Sequence, residues 1–422
     1  MDGREIIGCM EKIWMYPRSP TGKGTLDTLK FIKGIHPEMT IQSHASGSRV
    51  FDWEIPHEWN IQDAYIQHES GQRFAEFSKH PLHVLGYSIP CDRKLDKKKL
   101  LEHIHTQPDQ PDFIPYVTSY YADRWGFCMS ENEKNKLPEG RYRAVIRASK
   151  KPGVLNLGEL ILPGNTDEEI FFSTYVCHPA MANNELSGPL VATALATHIK
   201  EHHPGPRYTY RFVFVPETIR AIAYLSDHLS HLKRHVKAGF VLSCLGDERA
   251  YSHIESRLGN SLADTALAAA LLGKKNKTTY SFLERGSDER QYCSPGVDLP
   301  VCTFCRSKYG EFPEYHTSAD DLSFVTPRGL EGSLGVLKTL VDAFEIGPSP
   351  RATTPCEPQL GKRNLYPTIS QKHSADHLRT RMDVLAYADG HHTPFDLALK
   401  LETPLVQINE ELNLLIHHGL IQ

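Results

Sequence analysis

The sequence predicts an α/β fold, a mostly parallel sheet flanked by helices, with two smaller modules attached. Between Asn156 and Ala343, short apolar runs alternate with segments in which apolar residues recur at helical spacing. The runs are apolar at nearly every position, which is typical of parallel strands that are buried on both faces. In such sheets the functional site lies at the carboxyl ends of the strands. We therefore expect the functional side chains directly after the apolar runs.

The elements of this core are expected in a regular order. The chain begins with helical spacing of apolar residues between Asp2 and Ile35, and further helices are predicted at 186–201 and 220–232. The predicted strands are the runs GELILPG, EIFFSTYVCHP, YRFVFVPET and GFVLSCLGD. This alternation is the pattern of parallel strands that are joined by crossover helices.

Two smaller modules interrupt and follow this core. Residues 48–120 are rich in aromatic and β-branched residues with frequent turn signals, which predicts an inserted β-rich domain. The α/β domain is then formed by residues 1–47 and 121–346. Residues 347–367 are rich in Pro, Thr, Gly and Arg and are predicted to be a linker. Residues 368–422 contain three short amphipathic helices, a spacing that resembles a winged helix.

The composition restricts the classes of function. The chain has 422 residues, of which 40% are hydrophobic, and a net charge of −4 from 47 basic and 51 acidic side chains. Because the basic and acidic side chains nearly balance, the chain lacks the excess of positive charge that is typical of nucleic-acid-binding proteins. No run approaches the roughly 18 apolar residues that cross a bilayer, and the start of the chain lacks the apolar segment of a signal peptide. We expect a cytoplasmic protein without membrane contacts, whose nine scattered cysteines are free thiols.

The first polar cluster follows a buried strand and contains His178, Asn184 and Glu185. Because Pro179 comes next, the chain turns at His178 and leaves the imidazole at the end of the strand. Asn184 and Glu185 lie just before a predicted helix. A single histidine at a strand end is more often structural than functional, so this cluster does not decide the function alone.

Two further clusters follow later strands in the same way. Glu217 comes after four apolar residues and a proline, where a carboxylate is costly unless it is paired or used. A raised pKa there would suit a general base, although a helix N-terminus also favours a carboxylate. The third cluster, EYHTSADDL, contains Tyr315 and His316, and its Ser318 and Asp321 could simply cap a helix.

Together, the order and wording of these motifs resemble a known family. CHPAMANNELSGP, VPETIRAIAYLS, GSDERQYCSPGVDLP and EYHTSADDL occur in the order found in the M28-type zinc aminopeptidases. They are more similar still to a group that combines an aminopeptidase-like domain, an inserted domain of unknown function and a C-terminal winged helix. The resemblance covers nearly the whole chain and implies a zinc-dependent hydrolase of amide or peptide bonds.

The resemblance also implies a role for several residues. His178 and His316 would be metal ligands, Glu217 would be the general base that takes a proton from the attacking water, and Tyr315 would stabilise the oxyanion. These roles agree with zinc chemistry, in which imidazoles hold the metal and a carboxylate accepts the proton.

The sequence departs from the dizinc pattern at three ligand positions. Asn184 stands where the family has a bridging aspartate, and Thr218 and Ser243 replace two further carboxylates. With three anionic ligands missing, we expect one zinc ion, held by two imidazoles and Asn184 as a weaker third group. Glu185 could turn in and replace Asn184, and weak or absent metal binding stays open.

The substrate side of the site is less specific. By resemblance to a loop that borders the pocket, acidic side chains near Glu284 would read a substrate amine, whereas Arg306 or Lys308 could bind a carboxylate or phosphate. Each of these groups could equally be an ordinary solvated charge. The substrate-binding candidates are Glu185, Asp288, Glu289 and Arg306.

The expected function is that of a zinc-dependent amide or peptide hydrolase acting on a small peptide or an amide-containing small molecule. Two alternatives stay open: a metal-poor amide hydrolase or transferase of small-molecule biosynthesis, and a pseudoenzyme used for ligand or protein binding. The last predicted helix carries Glu410 and Glu411 and offers no arginine for bases or phosphates, so we expect protein contacts or a homo-oligomer from this module rather than nucleic-acid binding.

Overall fold

The computed structural model describes residues 1–366 and 374–422, with side chains from residue 377 onward in the second range. The predicted boundary between linker and C-terminal module, at residues 367 and 368, lies outside these residues. The helices are α1 Gly3–Ile13, α2 Lys23–Ile35, α3 Lys97–Leu101, α4 Glu131–Asn135, α5 Ser187–His202, α6 Ile219–His235, α7 Leu262–Ala270, α8 Glu289–Tyr292, α9 Pro327–Ile346, α10 Ser374–Tyr387, α11 Pro394–Lys400 and α12 Leu405–His417. Within the described ranges, no helix combines the length and apolarity that a membrane span requires.

The strands form one large sheet and a smaller one, with two additional two-stranded pairs. The bounds are β1 Thr40–Ala45, β2 Arg49–Val50, β3 Trp53–Glu54, β4 Glu58–His68, β5 Arg73–Phe74, β6 Cys91–Asp96, β7 Ile104–His105, β8 Phe127–Cys128, β9 Arg141–Lys151, β10 Val154–Leu162, β11 Glu169–Tyr175, β12 Thr209–Val215, β13 Val236–Leu242, β14 Tyr251–Ile254, β15 Lys277–Tyr280 and β16 Val301–Cys305.

The large sheet has eight strands in the order β1-β10-β12-β11-β13-β16-β14-β15. Its four central strands, β12, β11, β13 and β16, are mutually parallel, and antiparallel pairings join β10 on one side and β14 on the other. The predicted α/β fold with a central sheet flanked by helices is therefore confirmed. The carboxyl ends of the parallel strands meet at one edge of the sheet, as the sequence analysis expects.

The central strands bury both of their faces. All seven residues of β11 are buried, and successive side chains point to opposite sides. Phe172 packs in the core that also contains residues of α1, α5, α7 and α9, whereas Phe171 packs in the core beside α6 and α8. At the start of α5, a Cβ on Gly188 would lie 2.5 Å from the Leu242 carbonyl oxygen, so glycine allows this helix to approach the strands.

The inserted module is built on a second sheet, in the order β5-β4-β9-β6. The long strands β4 and β9 pair along nearly their whole length, from Glu58 opposite Lys151 to His68 opposite Tyr142. This sheet extends beyond residue 120, the predicted end of the insertion, because β9 is its second central strand. The pairing joins residues about eighty positions apart, so local composition and hydrophobic periodicity do not predict it.

The C-terminal helices share a core with the α/β domain. Residues of α7 and α9 belong to the same buried cluster as residues of α11 and α12. The segment predicted as a linker also packs: Arg351 exchanges backbone hydrogen bonds with Gln422, and Leu360 and Leu365 are buried in that cluster. The proline-rich composition of this segment is compatible with its non-helical backbone, but the segment packs against the core and is not a flexible linker.

Candidate active site

Three segments bring polar side chains to the carboxyl edge of the sheet. His178 follows β11, and Glu217 follows its parallel neighbour β12, so the two residues lie side by side. His316 lies in the loop between β16 and α9. Residues Ala182–Leu186, just before α5, form a π-helical turn, a rare conformation that is frequent at functional sites.

The two histidines face each other across a small space. The ring centroids of His178 and His316 are 5.2 Å apart, and Glu217 Oε2 lies 3.7 Å from His178 Nε2. The edge of the Tyr116 ring packs against both imidazoles, at 5.2 Å and 5.1 Å between centroids. Tyr315 stacks on the other side of His316 at 3.9 Å. The structure thus brings together four of the residues predicted for catalysis and metal binding.

The orientation of His178 is set by buried partners behind it. Its Nδ1 lies 2.8 Å from Glu185 Oε2, which leaves Nε2 towards Glu217. Arg18, also buried, donates from Nε to the His178 carbonyl at 2.8 Å and lies 3.7 Å from Glu185 Oε1. Burial raises the pKa of Glu185 to about 8, while the Arg18 charge opposes this shift. Glu185 therefore contacts the imidazole from behind, and neither Glu185 nor Asn184 is among the residues that line the cavity.

Asn184 is held rigidly by its backbone and its amide nitrogen. Its N–H donates to the buried Asp320 carboxylate at 2.8 Å, and Nδ2 donates to the Tyr175 hydroxyl at 2.7 Å and contacts Cys244 Sγ at 3.6 Å. Among the described residues, Asn184 Oδ1 has no hydrogen-bond partner although it is buried. A buried acceptor without a partner is rare and calls for an explanation.

Among the described residues, two of the predicted metal ligands keep an unpaired donor atom. His316 Nε2 is likewise buried without a partner in the described part of the chain. Burial lowers the pKa of both His178 and His316 to about 3, so both rings are neutral near pH 7, the form that binds metals. Neutral imidazoles and an amide oxygen are donor types that can bind a divalent metal, whereas a dinuclear zinc site needs more anionic ligands than these residues supply.

Glu217 occupies a strained turn beside a cation. The carbonyl of Glu217 accepts from the Ile219 N–H at 2.9 Å, which closes a γ-turn over Thr218 at φ 64°, ψ −79°. A β-branched residue rarely adopts positive φ, and such strain concentrates at functional sites. Arg290 lies 3.9 Å from Glu217 Oε1 and donates to Thr218 Oγ1 at 2.8 Å. Burial, followed by the charge of Asp288, raises the pKa of Glu217 to about 8.

A cavity of about 310 Å³ opens above these groups. His178, His316, Glu217 and Cys177 lie on its inner side. Its walls carry five aromatic side chains, which are Trp53, Tyr87, Tyr116, Tyr120 and Tyr121. These aromatic residues all lie between positions 53 and 121, in the segment that separates β1 from β10. This segment therefore shapes the binding space, and the loops at the carboxyl edge of the large sheet supply the polar groups.

The insertion also fixes the loop that carries His316. The Tyr116 N–H donates to the His316 carbonyl at 2.8 Å, and the Ser318 N–H donates to the Ile114 carbonyl at 2.9 Å. Ile114 N–H in turn donates to Ser318 Oγ at 2.9 Å. His316 has a φ of 57°, which is uncommon for a residue with a Cβ, and these bonds on both sides of it hold that conformation.

Three predicted substrate-binding residues point elsewhere. Glu289 accepts from Gly286 N, Ser287 N, the Tyr309 hydroxyl and Thr303 Oγ1, so both of its oxygens serve the local structure. Arg306 donates to the carbonyls of Ala250 and Gly329 and lies over the Tyr251 ring at 3.9 Å. Asp288 lies behind Glu217, where it accepts from the Thr218 N–H at 2.7 Å.

Sequence reasoning did not identify Arg18, Tyr116 and Arg290 as site residues. Arg18 precedes α2, distant in sequence from the histidines, and no local pattern marks it. Tyr116 is one of many aromatic residues in the insertion. Arg290 lies within the motif GSDERQYCSPGVDLP, next to the acidic residues that were predicted to bind substrate. The motif therefore pointed to the right segment but not to this arginine.

Comparisons with known proteins agree with this architecture. Residues 8–347 match the model of a domain of unknown function (DUF4910), and residues 349–422 match a winged helix-turn-helix model. A Clostridium acetobutylicum protein, described as a polysaccharide biosynthesis protein with an aminopeptidase-like domain, is 37% identical over 401 residues, which cover 94% of this chain and 91% of that protein.

Solved structures give the same result for the fold. A Clostridium acetobutylicum peptidase structure aligns with a TM-score of 0.91 at 34% identity, covering 100% of this chain and 96% of that one. A zinc aminopeptidase from Bacillus subtilis aligns with a TM-score of 0.55 at 13% identity, covering 80% of this chain and 94% of that one. The second likeness shows the fold alone. The chain therefore belongs to the DUF4910 family and joins an aminopeptidase-like α/β domain to a C-terminal winged helix.

Proposed function

We propose that the protein is a metal-dependent amide hydrolase, with one zinc ion held by His178, His316 and Asn184. Two observations carry this proposal. The His178 and His316 rings lie 5.2 Å apart beside Glu217, and His316 Nε2 and Asn184 Oδ1 are buried ligand atoms without a hydrogen-bond partner among the described residues. An ion at this place would act as a Lewis acid on the substrate carbonyl and on the attacking water. The aminopeptidase-like fold supports the same class of reaction.

In this proposal Glu217 moves the proton. As a carboxylate it accepts a proton from the attacking water, and as an acid it returns that proton to the leaving nitrogen. Its raised pKa makes it a stronger base than an exposed glutamate, and Arg290 at 3.9 Å favours the ionised form. The γ-turn at Thr218 keeps the carboxyl group at the end of β12, facing His178.

Tyr315 and Arg290 are the groups that could stabilise negative charge. Burial raises the pKa of Tyr315 well above its usual value, so the phenol keeps its proton and can donate a hydrogen bond to a developing oxyanion. Arg290 has a partly exposed guanidinium beside Glu217. We assign the oxyanion to Tyr315, because the guanidinium of Arg290 is already hydrogen-bonded to Thr218 Oγ1.

The substrate in this proposal is a small amide with a ring or apolar group next to the scissile bond. A volume of about 310 Å³ admits a small molecule or the end of a peptide, and the aromatic walls offer flat apolar surfaces to a ring. A second candidate reaction is removal of an N-acyl group from an amino sugar. This second reaction is favoured by the description of the Clostridium acetobutylicum relative as a polysaccharide biosynthesis protein.

The test compares Glu217→Gln with the unmodified chain on two panels, aminoacyl p-nitroanilides and N-acetylated amino sugars. We expect hydrolysis in one panel, lowered about a hundredfold or more by Glu217→Gln, because only the proton acceptor is lost. Glu201→Gln, on the exposed end of α5, is the matched control and should keep full activity. Hydrolysis that persists in Glu217→Gln would contradict the assignment.

For the C-terminal winged helix we propose protein contacts, including self-association, rather than nucleic-acid binding. The exposed side of α12 carries Glu410, and Glu411 is paired with Arg381 at 2.8 Å. An acidic surface repels phosphates. A shift of random-sequence DNA that weakens with salt would contradict this proposal.

A further inference from the structure

A second group of metal-ligand side chains lies near the opposite end of α5 from the candidate active site. His198 is on the last turns of α5, His203 directly follows this helix, and Asp342 is on α9. Each residue places one ligand atom within 4.8 Å of the other two. With a rise of about 1.5 Å per residue, the eleven positions between Ser187 and His198 span roughly 16 Å, so this group is separate from the active site.

In this group the short hydrogen bond is made by His203, and His198 has only a longer contact to Asp342. His203 Nε2 lies 2.9 Å from Asp342 Oδ1, and His198 Nε2 lies 3.7 Å from the same oxygen. Both ring nitrogens of His198 are buried and lack a hydrogen-bond partner among the described residues. An imidazole in this state has lost its hydration without compensation. A metal ion bound to Nε2 would provide that compensation.

The separations suit a tetrahedral ion. With zinc–nitrogen and zinc–oxygen bonds of about 2.0–2.1 Å, neighbouring ligand atoms of a tetrahedron are about 3.3–3.4 Å apart. The distances from Asp342 Oδ1 to the two histidine nitrogens, 2.9 Å and 3.7 Å, lie on either side of this value. Small side-chain rotations would therefore complete three ligand positions.

In two comparable groups of the described residues, a potential ligand is already held by hydrogen bonds to other parts of the fold. His231 and His235 on α6 stack four residues apart, as His198 and His202 do, but His231 Nε2 is hydrogen-bonded to Glu169 at 2.7 Å. In the buried group of His253, Asp264 and Cys302, Asp264 already accepts hydrogen bonds from Ser256 and Ser261. Histidine spacing alone is therefore not what distinguishes the α5 group.

This group lies where the α/β domain meets α12 of the winged helix. His203 and Asp342 line a cavity of about 710 Å³ whose other wall is α12, with Glu410 and Asn413 on the cavity side. We propose that His198, His203 and Asp342 form a second site for a zinc-like divalent ion, at the junction of the α/β domain and the winged helix. An ion there would add a bond between α5 and α9 directly beneath α12. This proposal does not depend on the proposed hydrolase function.

The test is a calorimetric zinc titration of the full chain carrying His178→Ala and His316→Ala, which removes the active-site imidazoles. We expect this chain to bind one zinc ion in the micromolar range or tighter. Adding His203→Ala should weaken binding by about a hundredfold or more, since loss of a ligand exceeds the tenfold to hundredfold effect of its supporting contacts. His235→Ala, which removes a histidine from the end of α6, is the matched control and should leave the titration unchanged.

Thermal unfolding supplies a second readout that needs no active-site change. Zinc should raise the melting temperature of a chain with Asp342→Asn less than that of the unmodified chain, because binding to the folded state alone stabilises it. Circular dichroism of the metal-free chains verifies that each variant is folded. Absence of zinc binding in the His178→Ala/His316→Ala chain, or equal binding with and without His203→Ala, would overturn the proposal.

Discussion

Glu185 Oε2 lies 2.8 Å from Nδ1 of His178, on the side of the ring away from the cavity. A carboxylate in this position fixes the ring orientation and increases the basicity of the other nitrogen, as in many metal sites. Because Arg18 lies 3.7 Å from the same carboxylate, the orientation of His178 rests on a buried pair from two separate parts of the chain.

The first prediction concerns this carboxylate. Glu185→Gln should lower zinc affinity by about tenfold to a hundredfold, because a cation at His178 favours the ionised form of Glu185, and glutamine has no ionised form. Calorimetric titration of the active site, in a background carrying His203→Ala, measures this change. Glu217→Gln is the matched comparison and should bind zinc nearly as well as the parent while losing hydrolysis. Abolished binding in Glu185→Gln would mean that Glu185 is itself a ligand.

A second prediction concerns Asn184. Restoring a carboxylate with Asn184→Asp adds a negative charge to the ligand set, so zinc affinity should rise by about tenfold or more. The backbone bond to Asp320 does not involve the exchanged side chain, and the Tyr175 hydroxyl can donate to the new carboxylate. Titration in the same His203→Ala background is the measurement. An unchanged affinity would place Asn184 outside the metal site.

The third prediction concerns the C-terminal module. A chain ending at Gly347 should lose cooperative unfolding or aggregate, because it exposes the faces of α7 and α9 that pack against α11 and α12. Asn409 also donates to the Thr339 carbonyl at 3.0 Å across this contact. Urea unfolding followed by circular dichroism measures the effect. A truncated chain as stable as the parent would show that the shared core is dispensable.

The fourth prediction is a loss of stability in acid that depends on His80. Burial lowers the pKa of His80 from 6.5 to about 4, so the folded state favours the neutral ring, whose Nδ1 accepts from the Leu82 N–H at 3.2 Å. The stabilisation is complete above the unfolded pKa and is lost as pH falls from 6.5 towards 4, by on the order of 2 kcal/mol. The charged and titratable groups around it are His83 and Asp321.

His80→Asn isolates this contribution. Asparagine can still accept a hydrogen bond from the Leu82 N–H but does not titrate. The free energy of unfolding should therefore change less between pH 7.5 and pH 5 in the variant than in the parent. His391→Asn, in an exposed loop, is the control and should follow the parent. Parallel pH profiles for the parent and His80→Asn would contradict the assignment.

The sequence was sufficient for those features that a local pattern specifies. The apolar strands and the polar residues that follow them placed His178 and Glu217 at one edge of the sheet. The third cluster was also expected directly after a strand, but His316 lies eleven residues after the end of β16 and is carried by a loop. Contacts between distant segments could not be read in this way. Strand β9 pairs with β4 across the insertion, and Tyr116 binds the backbone of His316 from two hundred positions away. Neither relationship leaves a periodicity in the chain.

The charged residues near the site show a second limit. Glu289 and Arg306 occur in the segments that the family resemblance points to. In the structure, however, Glu289 accepts hydrogen bonds from N–H and hydroxyl groups, and Arg306 donates hydrogen bonds to backbone carbonyls. Whether a charged side chain is free for a substrate depends on such partners, which the sequence does not display. Arg290, within the same motif as Glu289, is the one that lies beside Glu217.

The central claim is that His178 and His316 together hold one zinc ion beside Glu217. The most direct measurement is an anomalous-difference map from a crystal grown with zinc, with data collected at the zinc absorption edge. We predict a peak between the two imidazoles, about 2.0–2.1 Å from each Nε2. A zinc-containing crystal with no anomalous peak between His178 and His316 would contradict the account.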